Sequence, residues 1–221
     1  MVLAMMACTS ANAQTQMVVN CADGSKLRID IENIKDVTFE DVVADKYESV
    51  DLGLSVKWAA HNIGASAPEE YGSYFAWGET ATKSSFTESN YVHNAQGSFA
   101  SLGSSISATK YDAATAAWGG QWRTPTIAEV DELTSRCTWT WTSQNGVSGY
   151  RVTGPSGASI FLPAAGQKRG TDSIGTGSQG YYWSATQSTE YSTAAFNLNF
   201  TGYTGHWSAN RSYGFPIRPV K

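Results

Sequence analysis

Apolar positions along the chain change period several times, and each change marks an element. Val18-Val19, then Leu27, Ile29 and Ile31 at alternate positions with Asp23-Gly24 as a turn, predict a hairpin, and Val37-Thr38-Phe39 adds a third short strand. The charged stretch from Asp41 to Glu48 has no period and reads as a linker, so the main domain begins near Tyr47 or Val50. Within it Val56-Lys57-Trp58-Ala59 reads as a strand, whereas Ala65 to Gly72 and Gly78 to Ser107 are loops of Ser, Gly, Asn and Thr. One segment changes to helical spacing. Ile127, Val130, Leu133 or Thr134, and Cys137 recur every three or four residues behind Thr126-Ile127-Ala128-Glu129. That tetrapeptide is a capping box, in which the Thr hydroxyl accepts from the third helical amide and Glu129 reaches back to the cap amide.

Period two returns in Thr138-Trp139-Thr140-Trp141-Thr142, followed by Asn145-Gly146 as a hairpin turn and by Tyr150-Arg151-Val152. Ser159-Ile160-Phe161-Leu162 is a continuous apolar run and predicts a central strand ended by Pro163. In Ala194-Ala195-Phe196-Asn197-Leu198-Asn199-Phe200, Phe196, Leu198 and Phe200 share one face and Asn197 and Asn199 the other. The expectation is a core side, with Trp183 also in the scaffold, and a displayed side.

Composition sharpens this reading. The 221 residues are 41% hydrophobic and 15% charged, with 21 Gly, 8 Trp and 11 Tyr, a palette for strands and turns. No apolar run approaches the ~20 residues that cross a bilayer, so no transmembrane segment is expected. A net charge of −4 lacks the basic footprint that attracts phosphate backbones, so nucleic acid is not an expected partner.

The chain opens on an apolar stretch, Met1 to Cys8, followed by Ala11-Asn12-Ala13, small residues where a signal peptidase reads. This predicts a signal peptide over residues 1–13 and an exported protein, secreted or held at the cell surface. The lesser alternative is a lipoprotein anchored through Cys8, for which Met5-Met6-Ala7-Cys8 is a poor match to a lipobox. Cys21 and Cys137 then remain, and their spacing leaves open both a disulfide and two separate buried thiols.

Catalytic motifs fail on mechanism. Gly175-x-Gly177-x-x-Gly180 matches a dinucleotide fingerprint by letter but runs into Tyr181-Tyr182-Trp183, a strand pattern, where a helix N-terminus has to face the pyrophosphate. There is no nucleophile elbow and no P-loop. His61, His93 and His206 have no second ligand at metal spacing, and Glu69, Glu70, Glu79 and Glu129 show no spacing that marks an acid–base pair. Neither an enzyme nor a metal or other cofactor is expected.

Ordered landmarks carry a family resemblance. Val50-Asp51-Leu52-Gly53-Leu54, Trp58, Asn62-Ile63-Gly64-Ala65 and Glu70-Tyr71-Gly72-Ser73-Tyr74-Phe75-Ala76-Trp77-Gly78-Glu79 come first. Trp118-Gly119-Gly120-Gln121-Trp122-Arg123-Thr124-Pro125-Thr126, Ile160 to Gly166, Gly180 to Ser184 and Tyr213-Gly214-Phe215-Pro216-Ile217-Arg218-Pro219-Val220 follow. Together they resemble the Fibrobacter succinogenes major paralogous domain. The resemblance implies an α+β, C-type lectin-like domain of the formylglycine-generating-enzyme branch, with two helices, a small antiparallel sheet and long loops. The leading β-hairpin module resembles those of surface proteins of gut Bacteroidetes. The implied organisation is a signal peptide at 1–13, a β-hairpin module and linker at 14–46, and the main domain at 47–221. Two departures limit the transfer. The enzyme branch needs a cysteine pair and only Cys137 lies in the main domain, and the Glu-Pro-Asn and Trp-Asn-Asp calcium motifs of sugar-binding members are missing.

The same branch includes the variable proteins of diversity-generating retroelements, whose C-terminal codons are rewritten at adenines. Residues of the types that process produces here are Ser188, Thr189, Tyr191, Asn197, Asn199, Tyr203, Thr204, His206, Ser208, Asn210, Ser212 and Tyr213. From Gln187 to Tyr213 the chain has the palette of a paratope, in which Tyr gives contact area at low entropy cost and Ser, Gly and Asn adapt their hydrogen bonds. The same palette suits an ordinary solvated meander. The expected function is binding of a protein or glycan on another surface, with Tyr191, Tyr203, His206 and Tyr213 as anchors. The alternatives are a structural or adhesin subunit of a surface assembly and, less favoured, a formylglycine-generating-type enzyme.

Overall fold

The computed structural model describes residues 16–20, 24–31 and 46–221. The leader, Cys8, Cys21 and the strand expected at 37–39 lie outside them. The chain separates into two compact units, residues 1–44 and 45–221. In the first, β1 (Gln16–Asn20) and β2 (Lys26–Asp30) pair antiparallel, with Val18 opposite Arg28.

The second unit begins with the hairpin β3 (Ser49–Val50) and β4 (Trp58–Ala59), then β5 (Asn94–Ala95) and β6 (Ser98–Phe99). Helices α1 (Ala113–Trp118) and α2 (Ile127–Arg136) follow. β7 (Thr138–Gln144), β8 (Val147–Thr153) and β9 (Ser159–Pro163) form one antiparallel meander. β10 (Gln167–Arg169) and β11 (Asp172–Ile174) make a small hairpin. β12 (Gly180–Gln187), β13 (Ala194–Phe200) and β14 (Thr204–Asn210) form the second meander, in that spatial order.

This overturns the expected fold class. Among the described residues the structure is mostly β, 39% strand against 11% helical, and it is spread over several small antiparallel sheets rather than one small central sheet in an α+β, lectin-like frame. The physical reason lies in the long stretches without periodicity. Residues 60–112 form no extensive sheet or α-helix; they pack as loops through backbone hydrogen bonds and buried rings, while regular pairing is confined to local hairpins and meanders.

Local chemistry explains the elements that do form. Thr126 Oγ1 accepts from Glu129 N, and the Glu129 carboxylate accepts from Thr126 N and both terminal nitrogens of Arg123, so the capping box also anchors α2 to the preceding chain. Burial acts to raise the Glu129 carboxyl, but the hydrogen bonds from Arg123 and Thr126 outweigh it and hold it below the ordinary value. Asn145 and Gly146 both take positive φ, 49° and 82°, as the tight β7–β8 turn requires. Gly180 sits opposite Phe200, where a Cβ would stand 2.0 Å from the phenyl ring. Packing, not phosphate approach, demands that glycine.

Two cores flank the β12–β14 sheet. One gathers Leu52, Trp58, Val130, Leu133, Ile160, Leu162, Tyr182, Leu198, Phe200 and Val220. The other gathers Ile63, Phe75, Trp77, Ile106, Trp183, Ala195, Phe215 and Ile217. Trp183 stacks on Phe215 with ring centroids 4.1 Å apart and donates from Nε1 to Phe75 O, while Trp77 Nε1 donates to Ser184 O.

The last residues bind this frame together. Lys57 and Lys221 exchange backbone hydrogen bonds, as do Arg123 with Val220, Phe75 with Phe215 and Lys168 with Gly214. Arg218 is fully buried, and burial pushes its guanidinium down to about 10. It donates to Asn62 Oδ1 (2.8 Å), Ala59 O, Ala60 O and Phe161 O, so one cation ties four backbone or amide acceptors from two distant segments.

Candidate functional site

The residues proposed from the sequence fall into three groups. Ser188, Asn197, Asn199 and Ser212 are buried, which corrects their expected place on a displayed face. Thr204, Asn210 and Tyr213 are half-buried, whereas Thr189, Tyr191, Tyr203, His206 and Ser208 are exposed.

The correction at Asn197 and Asn199 has a clear cause. Alternation places them opposite Leu198 and Phe200, as expected, but the second core covers their side of the sheet as well. Asn197 lies between Trp183 on β12 and Trp207 on β14 and donates from Nδ2 to Trp207 O (3.0 Å). Its Oδ1 and that of Asn199 have no hydrogen-bond partner. Phe196, assigned to the scaffold, is only half-buried and meets His206 edge-on at 5.6 Å.

Ser188 and Ser212 shape the backbone. Ser188 Oγ accepts from the amides of Glu190 and Tyr191, which turns the 188–193 loop. Asn210 Oδ1 accepts from Ser212 N and Oγ, and its Nδ2 donates to Glu88 Oε1. The Tyr213 ring lies 4.4 Å beneath the Arg169 guanidinium and packs on the second core.

A buried cation underpins the exposed loop. Arg211 reads in the sequence as a lone charge in a polar stretch, yet it is fully buried, its guanidinium 4.7 Å from the Trp77 ring and 5.4 Å from that of Tyr91. It donates to Tyr91 Oη and to Ser192 O (3.0 Å), holding the loop that presents Tyr191. Burial pushes the Tyr91 phenol well above its ordinary value, which keeps the proton it donates to Trp77 O.

The exposed candidates lie at two ends of one hairpin. Tyr191, 60% exposed, precedes β13, and Tyr203, 62% exposed, sits in the turn after it. Seven strand residues at ~3.3 Å each place them about 20 Å apart. Trp207 is 47% exposed and pairs with Tyr203 at 5.7 Å between centroids. Sequence reasoning missed it by selecting residue types reached through codon rewriting. The signal was available in Gly205-His206-Trp207-Ser208, a large ring in an otherwise small and polar strand. On the opposite side of β14, His206 Nδ1 meets Asp131 Oδ1 of α2, both groups about half exposed.

Other chemistry does not converge here. Among the described residues no group of three or more His, Cys, Asp or Glu could hold a metal ion. Cys137 is free among the described residues, and burial raises its thiol, which favours the protonated and less nucleophilic form. A cavity of about 360 Å³ opens away from the hairpin, lined by Glu48, Val50, Pro68, Gln144, Arg151 and Phe161 among others. No helix of the described residues is long and apolar enough to cross a membrane.

A family model described as a domain of unknown function (DUF8237) matches residues 123–220, which takes in α2, both meanders and the C-terminal tail. No curated protein and no solved structure matches the chain, so the lectin-like architecture expected from the sequence finds no structural counterpart.

Proposed function

We propose that this chain is an exported ligand-binding protein, secreted or on the cell surface, whose exposed rings and hydroxyls recognise a protein or glycan on another surface. No bond is made or broken. The observation that carries the reading is the exposure of Tyr191, Tyr203 and Trp207 on a hairpin whose inner strand is packed on both sides. Large rings held on a stiff support bind with little loss of side-chain freedom, and Thr189, His206 and Ser208 supply adaptable polar contacts around them. The apolar opening from Met1 to Cys8, followed by Ala11-Asn12-Ala13, supports export. Diversification by a retroelement belongs to the same proposal, and a near-copy of the 3′ coding segment differing at adenines beside a reverse transcriptase gene would establish it.

The test presents the purified full chain to immobilised polysaccharides and to intact bacterial cells, then repeats it with Tyr191→Ala and Tyr203→Ala. Loss of binding by tenfold or more (about 1.4 kcal/mol or above) with an unchanged thermal midpoint supports the reading. Unchanged binding overturns it. A second reading, a subunit of a surface assembly, is favoured by one observation, the uncovered outer edge of β14. Formylglycine-generating-type oxidation stands behind both, because burial favours the thiol rather than the thiolate at Cys137.

A further inference from the structure

The direction of each backbone group along β14 follows from four hydrogen bonds around β13. Ser184 Oγ donates to Phe196 O and Ser188 N donates to Ala194 O, so the even residues of β13 turn their polar groups away from β14. Arg211 N donates to Thr193 O, and Asn197 Nδ2 reaches Trp207 O, so odd residues bridge the two strands. In an antiparallel ladder this alternation continues along the register, and Thr204, His206 and Ser208 therefore point N–H and C=O outward. Asn210 O is already taken by Tyr213 N.

This edge lacks the usual protection. Residues 191–210 contain no Asp, Glu, Lys or Arg, and β14 has no proline. Between the exposed Tyr203 and Trp207, Gly205 leaves a gap in which a Cβ would meet nothing within 4 Å.

We propose that β14 is the interface for a second copy of this chain, joined antiparallel about a two-fold axis through His206. In that register His206 faces His206, and Thr204 of each copy faces Ser208 of the other, so three narrow pairs each exchange two N–H···O bonds. The side-chain pattern fits the same register. Trp207 of one copy falls opposite Gly205 of the other, a large ring over an empty position, and the reverse contact repeats across the axis. β14 itself carries no charged side chain, the charge nearest the axis in each copy is the Asp131 carboxylate of α2 held by His206, and the Tyr191 loops remain at the outer ends. The patch is small, which places the dimer in the weak class of interfaces. This goes beyond the display reading: the dimer takes Trp207 and the β14 edge into the interface and leaves the exposed Tyr191 loop of each copy for display.

Sedimentation velocity on the full chain between about 5 and 500 µM tests it. The expected result is a reversible shift from monomer to dimer with concentration. Ser208→Pro removes one outward N–H while sparing the ladder to β13, as proline does on an open edge. Gly205→Val fills the gap opposite Trp207. Each variant is expected to stay monomeric throughout with an unaltered near-UV spectrum, and Gly205→Val carries the test alone if the proline variant misfolds. A wild-type monomer at every concentration, or a dimer that persists in Gly205→Val, overturns the proposal. Binding to immobilised cells through Tyr191 with a monomeric wild type would overturn the dimer alone and leave the display reading standing.

Discussion

β13 and β14 are paired residue for residue, are equally long and draw on the same polar and aromatic palette, yet they meet opposite environments. β13 is buried almost throughout, its Asn residues included, while the centre of β14 stands in solvent. Alternation along one strand does not distinguish them. What differs is cover on the Asn197 side: α2 packs against both strands, whereas the loops carrying Phe75 and Trp77, with the C-terminal tail, pack on that side of β13. β14 is the last strand out, and the cover thins beyond it. Amphipathic pattern therefore reports which face a residue takes, and only the neighbouring layer decides whether that face is wet.

The largest expected effect tests the layer rather than the strand. Arg218→Ala would strand four acceptors in the interior, at roughly 1–3 kcal/mol each, so a loss of at least about 4 kcal/mol is expected in urea unfolding. A loss below about 1 kcal/mol would show that the tail is not a main support of the second core. Leu198→Ala, in the middle of β13, is expected to cost about 3 kcal/mol through lost burial and a residual cavity.

Glu129→Gln comes next, at about 1–2 kcal/mol at neutral pH, because it weakens both the cap of α2 and its bond to Arg123. Its folded-state carboxyl is held below the ordinary value, so its stabilisation is present above that value and is lost as pH falls through the folded one. The gap in thermal midpoint between wild type and Glu129→Gln should close on acidification, and a gap that widens would contradict the assignment. Trp207→Ala, across from β13 on the exposed strand, is expected to change monomer stability by no more than about 0.5 kcal/mol. A cost near that of Leu198→Ala would erase the contrast between the two strands.

The parts legible in the sequence are those set by neighbours along the chain. Thr126 and Glu129 announced α2, Asn145-Gly146 announced the β7–β8 turn, and the apolar run at 160–162 announced β9. The exposure of Tyr191 and Tyr203 followed from the same local reasoning. What failed depends on residues far apart in sequence. Arg211 is buried because Trp77, Tyr91 and Phe99 surround it from segments more than a hundred positions upstream, and no local pattern marks a charge for that fate. Asn197 and Asn199 were misjudged for a related reason, since the layer that covers them is made of loops with no period to read. The ordered landmarks suggest an α+β template, whereas the described residues form many small sheets tied by isolated backbone bridges.

The tail's stitching has a bearing on biosynthesis. Amides at Lys57, Ala59, Ile63, Phe75 and Arg123 all await carbonyls between Phe215 and Lys221. A ribosome-bound fragment ending before Phe215 holds both cores unlatched, and closure is deferred to these late residues, a long-separation contact of the kind that slows folding.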